Sequence, residues 1–101
     1  MATTKILIVA AEAFPLAKTG GLGDAITGMA RALTQAQSPP TVLLPAYRGV
    51  AQRLAHARPV AALAGLPGGD ARLLAGNCPQ SGLSFLLLEN DALYDLSLIH
   101  I

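Results

Sequence analysis

The chain begins with a sequence of apolar segments separated by glycine and proline. Residues 5–11 form a short apolar run without alternation and rich in β-branched residues, which is typical of a parallel strand buried on both faces. Apolar residues then recur at helical spacing, which predicts one buried helix face. That stripe consists of Leu22, Ile26, Met29, Ala30 and Leu33. Residues 41–44 predict a second buried strand, so the first half of the chain is expected to form a right-handed βαβ unit.

The second half of the chain gives weaker signals. Residues 50–56 are compatible with one or two helical turns. Three apolar stretches follow at 60–64, 71–75 and 83–88, separated by turn-rich segments. Antiparallel pairing of the last two stretches is expected. We also expect close packing around Gly28, because glycine weakens a helix by about 1 kcal/mol relative to alanine.

Composition narrows the class of protein. The chain has 101 residues, of which 52% are hydrophobic and only 13% are charged. Charged residues usually make up about 25% of a globular domain, and disordered tails, coiled coils and nucleic-acid-binding domains need more charge than this chain has. A chain of this size also has a large surface for its volume, which so few charges cover poorly.

Charge and cysteine content point to a cytoplasmic protein with an anionic small ligand. The net charge is +1, and the basic residues all precede the acidic cluster near the end of the chain. A modest basic bias suits a small anion better than a nucleic acid. The single cysteine, Cys78, excludes an internal disulfide, and no apolar run approaches the ~20 residues needed to span a bilayer.

The loop after the first strand is the segment best suited to chemistry. Gly20, Gly21 and Gly23 lie within four residues, directly before the helix. Without Cβ atoms the backbone can approach a ligand closely, and the amides at a helix N-terminus favour an anion. Lys18 precedes the glycines, and its ammonium can reach the same anion. The residues alone leave two interpretations open: a phosphate-binding βαβ unit, or a tight turn beside a solvated lysine.

A longer motif resolves this choice through resemblance. Residues 6–24 read Ile-Leu-Ile-Val-Ala-Ala-Glu-Ala-Phe-Pro-Leu-Ala-Lys-Thr-Gly-Gly-Leu-Gly-Asp, and they resemble the amino terminus of bacterial glycogen synthases and plant starch synthases. Residues 42–45 are similar to the family's second strand, and residues 93–95 to its later Leu-Tyr-Asp. The resemblance implies an α/β fold, namely the Rossmann-like βαβ start of the N-terminal domain of a two-domain GT-B glycosyltransferase.

The same resemblance implies a reaction and its residues. Enzymes of this family transfer glucose from ADP-glucose to the non-reducing end of an α-1,4-glucan such as glycogen, with retention. By position, Lys18 would contact the donor diphosphate, and Gly20 and Gly21 would bring their amides to the donor. Asp24 would lie at the donor–acceptor site as the catalytic residue. The resemblance implies no metal or other cofactor, no nucleic acid and no membrane partner.

Several residues keep a plainer interpretation. Asp24 also suits the first turn of a helix, where a carboxylate interacts favourably with the helix dipole. Glu12 is expected to be a structural hydrogen-bond acceptor rather than a catalytic carboxylate. The arginines that flank residues 50–56 are expected to form a solvated face, with glucan or partner contact as the alternative. They are Arg48, Arg53 and Arg58. For the whole chain, the alternative to an enzyme fragment is a stand-alone, non-enzymatic nucleotide- or phosphate-binding module.

The last six residues depart from the family pattern. Residues 96–101 match the translation of CTG-TCT-CTT-ATA-CAC-ATC, a transposon end used in preparing sequencing libraries. We therefore expect residues 1–95 to be a partial N-terminal Rossmann-like domain and residues 96–101 to be a non-native tail encoded by adapter. The alternative is an apolar edge strand ending near His100. On the first interpretation the remainder of the enzyme is missing, and the 101-residue chain is expected to have no synthase activity.

Overall fold

A computed structural model describes residues 5–16, 20–66 and 69–90. Lys18, the Leu-Tyr-Asp motif at 93–95 and the tail at 96–101 lie outside the described residues. The elements in chain order are β1 (Leu7–Val9), α1 (Gly21–Gln35), β2 (Thr41–Pro45), a 3₁₀ helix (Ala51–Arg53), β3 (Ala55–Leu63), β4 (Ala71–Asn77) and β5 (Ser84–Glu89).

The strands form one five-stranded mixed sheet in the order β1-β2-β5-β4-β3. β1 pairs parallel to β2, and β2 pairs parallel to β5. β4 then runs antiparallel to both β5 and β3, which confirms the expected antiparallel pairing of the last two apolar stretches. The sequence β1-α1-β2 is the expected βαβ unit, and the α/β fold class is confirmed.

The hydrophobic core lies on one face of this sheet. Side chains in register across adjacent strands are almost completely buried, as in the row Ile8–Val42–Phe85. The next row joins Leu44 to Leu87. α1 covers this face, and its Ala30 belongs to the same core cluster. Since period-2 alternation places every second residue on one face, this one layer of contacts buries alternate residues of β1, β2 and β5, whereas β3 is exposed along nearly its whole length.

The opposite face of β1 is open, which corrects the prediction of a strand buried on both faces. Leu7 is 54% exposed and Val9 is 71% exposed, while Ile8 between them is buried. In register with Val9 along the same face are Leu43 on β2 and Leu86 on β5, both half-buried. We call this surface the open face, defined by Leu7, Val9, Leu43 and Leu86. β1 is also an edge strand of the sheet.

The helix buries a face rotated from the predicted one. Leu22 and Met29 are exposed, whereas Gly23, Thr27 and Ala30 are buried. The remaining members of the predicted stripe, Ile26 and Leu33, pack partly against the core. Gly28 is exposed, and a Cβ added there would meet nothing within 4 Å among the described residues, so the expected close packing is wrong.

α1 ends in a hydrogen-bonded turn at Gln37. The Gln37 amide donates to the Thr34 carbonyl at 3.1 Å, and the Ser38 amide donates to the Leu33 carbonyl at 2.9 Å. This pair of bonds defines a Schellman motif, in which the residue after the C-cap takes the left-handed conformation. Gln37 occupies that position with φ 68°. The turn normally favours glycine, whose place Gln37 takes here.

The predicted helical turns at 50–56 shrink to the 3₁₀ helix at Ala51–Arg53. The chain is already in β3 at Ala55, five residues before the predicted apolar stretch. Gly76 on β4 lies against this junction: a Cβ there would meet Leu54 side-chain atoms at 3.1 Å and the Ala55 carbonyl at 3.2 Å. At Gly76, β4 therefore packs tightly against the end of the 3₁₀ helix.

Candidate functional site

The loop that joins β1 to α1, here the β1–α1 loop (residues 10–20), leaves the sheet at the carboxyl end of a parallel strand. Ligands of open α/β sheets bind at this edge. Gly20 is the N-cap of α1, with extended backbone (φ −168°) and no side-chain capping bond. The first amides of a helix have no partner within the helix, so the start of α1 presents donors to whatever approaches this loop.

Gly20 and Gly21 are not required by the packing of the chain itself. A Cβ added at either residue would meet nothing within 4 Å among the described residues, and both are exposed. Neither carries a positive φ. Their missing side chains thus leave open space in front of the helix start, which suits close approach by an external group.

Asp24 stands in the first turn of α1 and is exposed. The structure therefore brings Gly20, Gly21 and Asp24 together at one helix terminus, as the sequence predicted. A carboxylate in the first turn also interacts favourably with the helix dipole, so Asp24 keeps both interpretations, as a donor-site residue and as a helix-stabilising residue. Lys18 precedes this group by two residues in sequence and lies outside the described residues.

Three side chains from elsewhere in the fold hold carbonyl oxygens of the β1–α1 loop. The Thr27 hydroxyl on α1 donates to the Phe14 carbonyl at 2.6 Å. The Tyr47 hydroxyl, just after β2, donates to the Ala11 carbonyl at 2.9 Å.

The third donor is an arginine. The Arg53 guanidinium Nη1 donates to the Leu16 carbonyl at 3.1 Å. Arg53 was expected to belong to a solvated face, and that expectation missed this contact. No local pattern signals it, because donor and acceptor are 37 positions apart in sequence. Tyr47 was likewise not among the predicted functional residues, and its bond to Ala11 spans 36 positions.

Backbone hydrogen bonds complete the support of the β1–α1 loop. The Phe14 amide donates to the Gly23 carbonyl at 3.1 Å, which ties the loop to the first turn of α1. The Ala10 amide donates to the Leu43 carbonyl at 3.0 Å. The peptide bond between Phe14 and Pro15 is cis. Residues 10–16 of the loop are thus anchored by five hydrogen bonds to α1, β2, Tyr47 and the 3₁₀ helix, so the course of this part is set by the fold rather than by local sequence.

Other residues considered in the sequence take structural positions. Cys78 is a free, buried thiol in the loop between β4 and β5. His56 and Arg58 are exposed on β3. Within the described ranges, no group of three or more His, Cys, Asp or Glu side chains is placed to hold a metal ion. No helix in the part of the chain that the structure describes is long and apolar enough to cross a membrane.

Comparison with known proteins places this loop in a family. The sequence profile described as "Starch synthase catalytic domain" matches residues 5–99. The chain is 61% identical over 99 residues to a protein named glycogen synthase from Bordetella bronchiseptica, covering 94% of this chain and 19% of the relative. It is 50% identical over 90 residues to one of the same name from Ralstonia nicotianae, covering 89% of this chain and 17% of the relative. The chain therefore spans less than a fifth of the length of these curated relatives.

The fold comparison agrees. A solved structure, the catalytic domain of starch synthase IV from Arabidopsis thaliana bound to ADP and acarbose, matches with a TM-score of 0.73 and 26% identity. The match covers 87% of this chain and 18% of that structure. Profile, relatives and fold agree on one assignment, which confirms the resemblance seen in the first loop: the chain belongs to the starch synthase catalytic domain family.

Proposed function

We propose that the chain is the N-terminal part of a retaining glucosyltransferase that transfers glucose from ADP-glucose to the non-reducing end of an α-1,4-glucan. One observation carries the proposal. Gly20 and Gly21 leave the start of α1 accessible near the carboxyl end of β1, although packing within the described residues does not require glycine at either position. The family supports the reaction, since relatives are named glycogen synthase. The solved starch synthase IV domain was bound to ADP and acarbose, which supports a nucleotide and a glucan ligand.

The roles of the loop residues follow from the charge that develops in the reaction. As the glycosidic bond of the donor lengthens, negative charge accumulates on the departing diphosphate. The amides of Gly20 and Gly21 and the ammonium of Lys18 stabilise that charge more in the transition state than in the ground state, which is the condition for catalysis. A charge-assisted hydrogen bond from Lys18 is worth about 1.5–3 kcal/mol. The helix terminus adds about 0.3–1 kcal/mol.

Asp24 has the catalytic role in this proposal, at the junction of donor and acceptor. It is exposed on the first turn of α1, beside the open space in front of Gly20 and Gly21. A carboxylate there can accept hydrogen bonds from sugar hydroxyls without losing its favourable interaction with the helix dipole. Neither a metal nor another cofactor has a role in the proposed step.

The proposal also assigns a cover to the open face. Parallel strands are almost always buried on both faces, whereas β1 exposes Leu7 and Val9 and lies at the sheet edge. The chain spans less than a fifth of its relatives, so we propose that further polypeptide of the same enzyme packs on this face. The partners are then the donor, the glucan acceptor and the remainder of the chain, in the cytoplasm, where the Cys78 thiol stays reduced.

A chimera tests the function. Residues 5–95 of this chain replace the matching segment of the Bordetella bronchiseptica relative, and glucose transfer from ADP-glucose to glycogen is measured. We expect Lys18→Ala to lower kcat/KM for ADP-glucose by about 10–100-fold, the equivalent of about 1.5–3 kcal/mol. An inactive chimera, or unchanged kinetics in the Lys18→Ala variant, contradicts the proposal.

Two glycines of α1 supply a matched control. Gly21→Ala and Gly28→Ala are the same change in the same helix, and in both cases the added Cβ meets nothing within 4 Å among the described residues. We expect Gly21→Ala to weaken donor use, because the methyl group occupies the approach to the helix start, and Gly28→Ala to leave it unchanged. Equal kinetics for the two variants would remove Gly21 from the donor site. Calorimetry of the 101-residue chain with ADP tests the non-enzymatic alternative, which requires binding without the rest of the enzyme.

A further inference from the structure

Among the three side chains that hold the β1–α1 loop, Arg53 differs from the other two in its exposure. Thr27 is 3% exposed and Tyr47 is 4% exposed, so both hydroxyls must find acceptors in the folded chain. Arg53 is exposed and has water as an alternative partner. Folding therefore does not force the Arg53 side chain to donate to a protein acceptor, yet it donates to the Leu16 carbonyl in a part-buried contact. What the bond does is to restrict the position of one carbonyl.

That carbonyl lies at a critical point of the loop. Leu16 is itself buried, and it is two residues before Lys18 and four before Gly20. Arg53 is the last residue of the 3₁₀ helix, and its backbone amide donates to the Val50 carbonyl at 3.0 Å. The guanidinium offers several donors in a rigid plane. It thus connects a defined element of the fold to the segment that leads into Lys18.

We propose that Arg53 is a positioning residue for the donor site: by holding the Leu16 carbonyl, it fixes the point of the β1–α1 loop from which the chain continues to Lys18. This inference rests on the proposed function. Arg53 acts through the loop and does not touch the reacting atoms. Misplacement of a catalytic group by about 1 Å costs on the order of 100-fold in rate, so one well-placed anchor has a measurable kinetic effect.

The test uses the same chimera and separates positioning from folding. We expect Arg53→Gln to lower kcat/KM for ADP-glucose by about 10-fold or more, with KM for glycogen unchanged. Arg53→Lys restores part of the loss, because an ammonium donates to the same carbonyl without the planar geometry. Arg58→Gln is the matched control: Arg58 is also exposed and carries the same charge, but lies on β3. Thermal midpoints of all variants are measured alongside.

A double-mutant cycle provides the decisive readout. If Arg53 acts through the segment carrying Lys18, Lys18→Ala with Arg53→Gln is scarcely worse than Lys18→Ala alone. Additive losses, or an Arg53→Gln variant that behaves like Arg58→Gln, overturn the inference while leaving the function intact. A loss accompanied by an equally lowered thermal midpoint, and not rescued by Arg53→Lys, also overturns it. A Lys18→Ala variant with unchanged kinetics instead contradicts the proposed function itself.

Discussion

The open face yields a prediction about what packs against β1 in the proposed enzyme. Val9 and Val42 are the same residue type on adjacent strands of one sheet, but Val9 is 71% exposed and Val42 is fully buried. Complete burial of a valine side chain is worth about 1.5–3 kcal/mol. Val9 obtains less than a third of that within this chain, so about 1–2 kcal/mol would be gained by the cover proposed above.

Replacing each valine with threonine measures this difference, because threonine keeps the β-branched shape and exchanges only one methyl group for a hydroxyl. In the 101-residue chain we expect Val9→Thr to change the free energy of unfolding by no more than about 0.5 kcal/mol, as at an exposed position. Val42→Thr is expected to lower the free energy of unfolding by about 1–3 kcal/mol, because the threonine hydroxyl would be buried in an apolar core. Urea denaturation followed by far-UV circular dichroism gives both values.

In the chimera with the Bordetella bronchiseptica relative, the two substitutions are expected to converge. Val9→Thr then lowers the midpoint of thermal inactivation by an amount comparable to that of Val42→Thr, since both positions are covered. Gln80→Thr, in the exposed turn after β4, serves as the neutral reference. If Val9→Thr matches Gln80→Thr in the chimera while Val42→Thr lowers the midpoint, the open face is not covered in the enzyme and the proposed cover is wrong.

Two further predictions concern substitutions to and from glycine. In both, the free energy of unfolding of the 101-residue chain is measured by urea denaturation. Gln37→Gly is expected to stabilise the fold by about 0.5–1 kcal/mol, because Gln37 has φ 68° and an L-residue there costs about 1–2 kcal/mol. Ala36→Gly is the control and is expected to destabilise the fold, since Ala36 has φ −83°. A loss of stability in Gln37→Gly would contradict the assigned turn. Gly76→Ala is expected to destabilise by about 1–3 kcal/mol, since its Cβ would lie 3.1 Å from Leu54 atoms and 3.2 Å from the Ala55 carbonyl. Gly28→Ala is the control: its Cβ meets nothing within 4 Å among the described residues, so it is expected to stabilise the fold by about 1 kcal/mol. If Gly76→Ala also raised the free energy of unfolding, the Leu54 side chain would have to move aside at little cost, and the expected clash would be wrong.

The family and the first half of the fold were predictable because their signals are local. Apolar runs bounded by glycine and proline predict β1, α1 and β2 at nearly their observed positions. The glycines before the helix and Asp24 within it are close in sequence, so their proximity in space needed no tertiary information. By contrast, helical spacing did not determine which face of α1 is buried: exposed Leu22 and Met29 belong to the predicted stripe, while buried Thr27 does not.

Sequence by itself determined the order of the elements, the glycine loop ahead of α1 and the family to which the chain belongs, because each depends on residues that are near neighbours along the chain. Tertiary structure decided that β5 lies between β2 and β4, that one face of β1 stays open, and that Arg53 holds the Leu16 carbonyl. These features depend on contacts between segments tens of residues apart, and hydrophobic periodicity carries no information about which distant partner a strand or a guanidinium will meet.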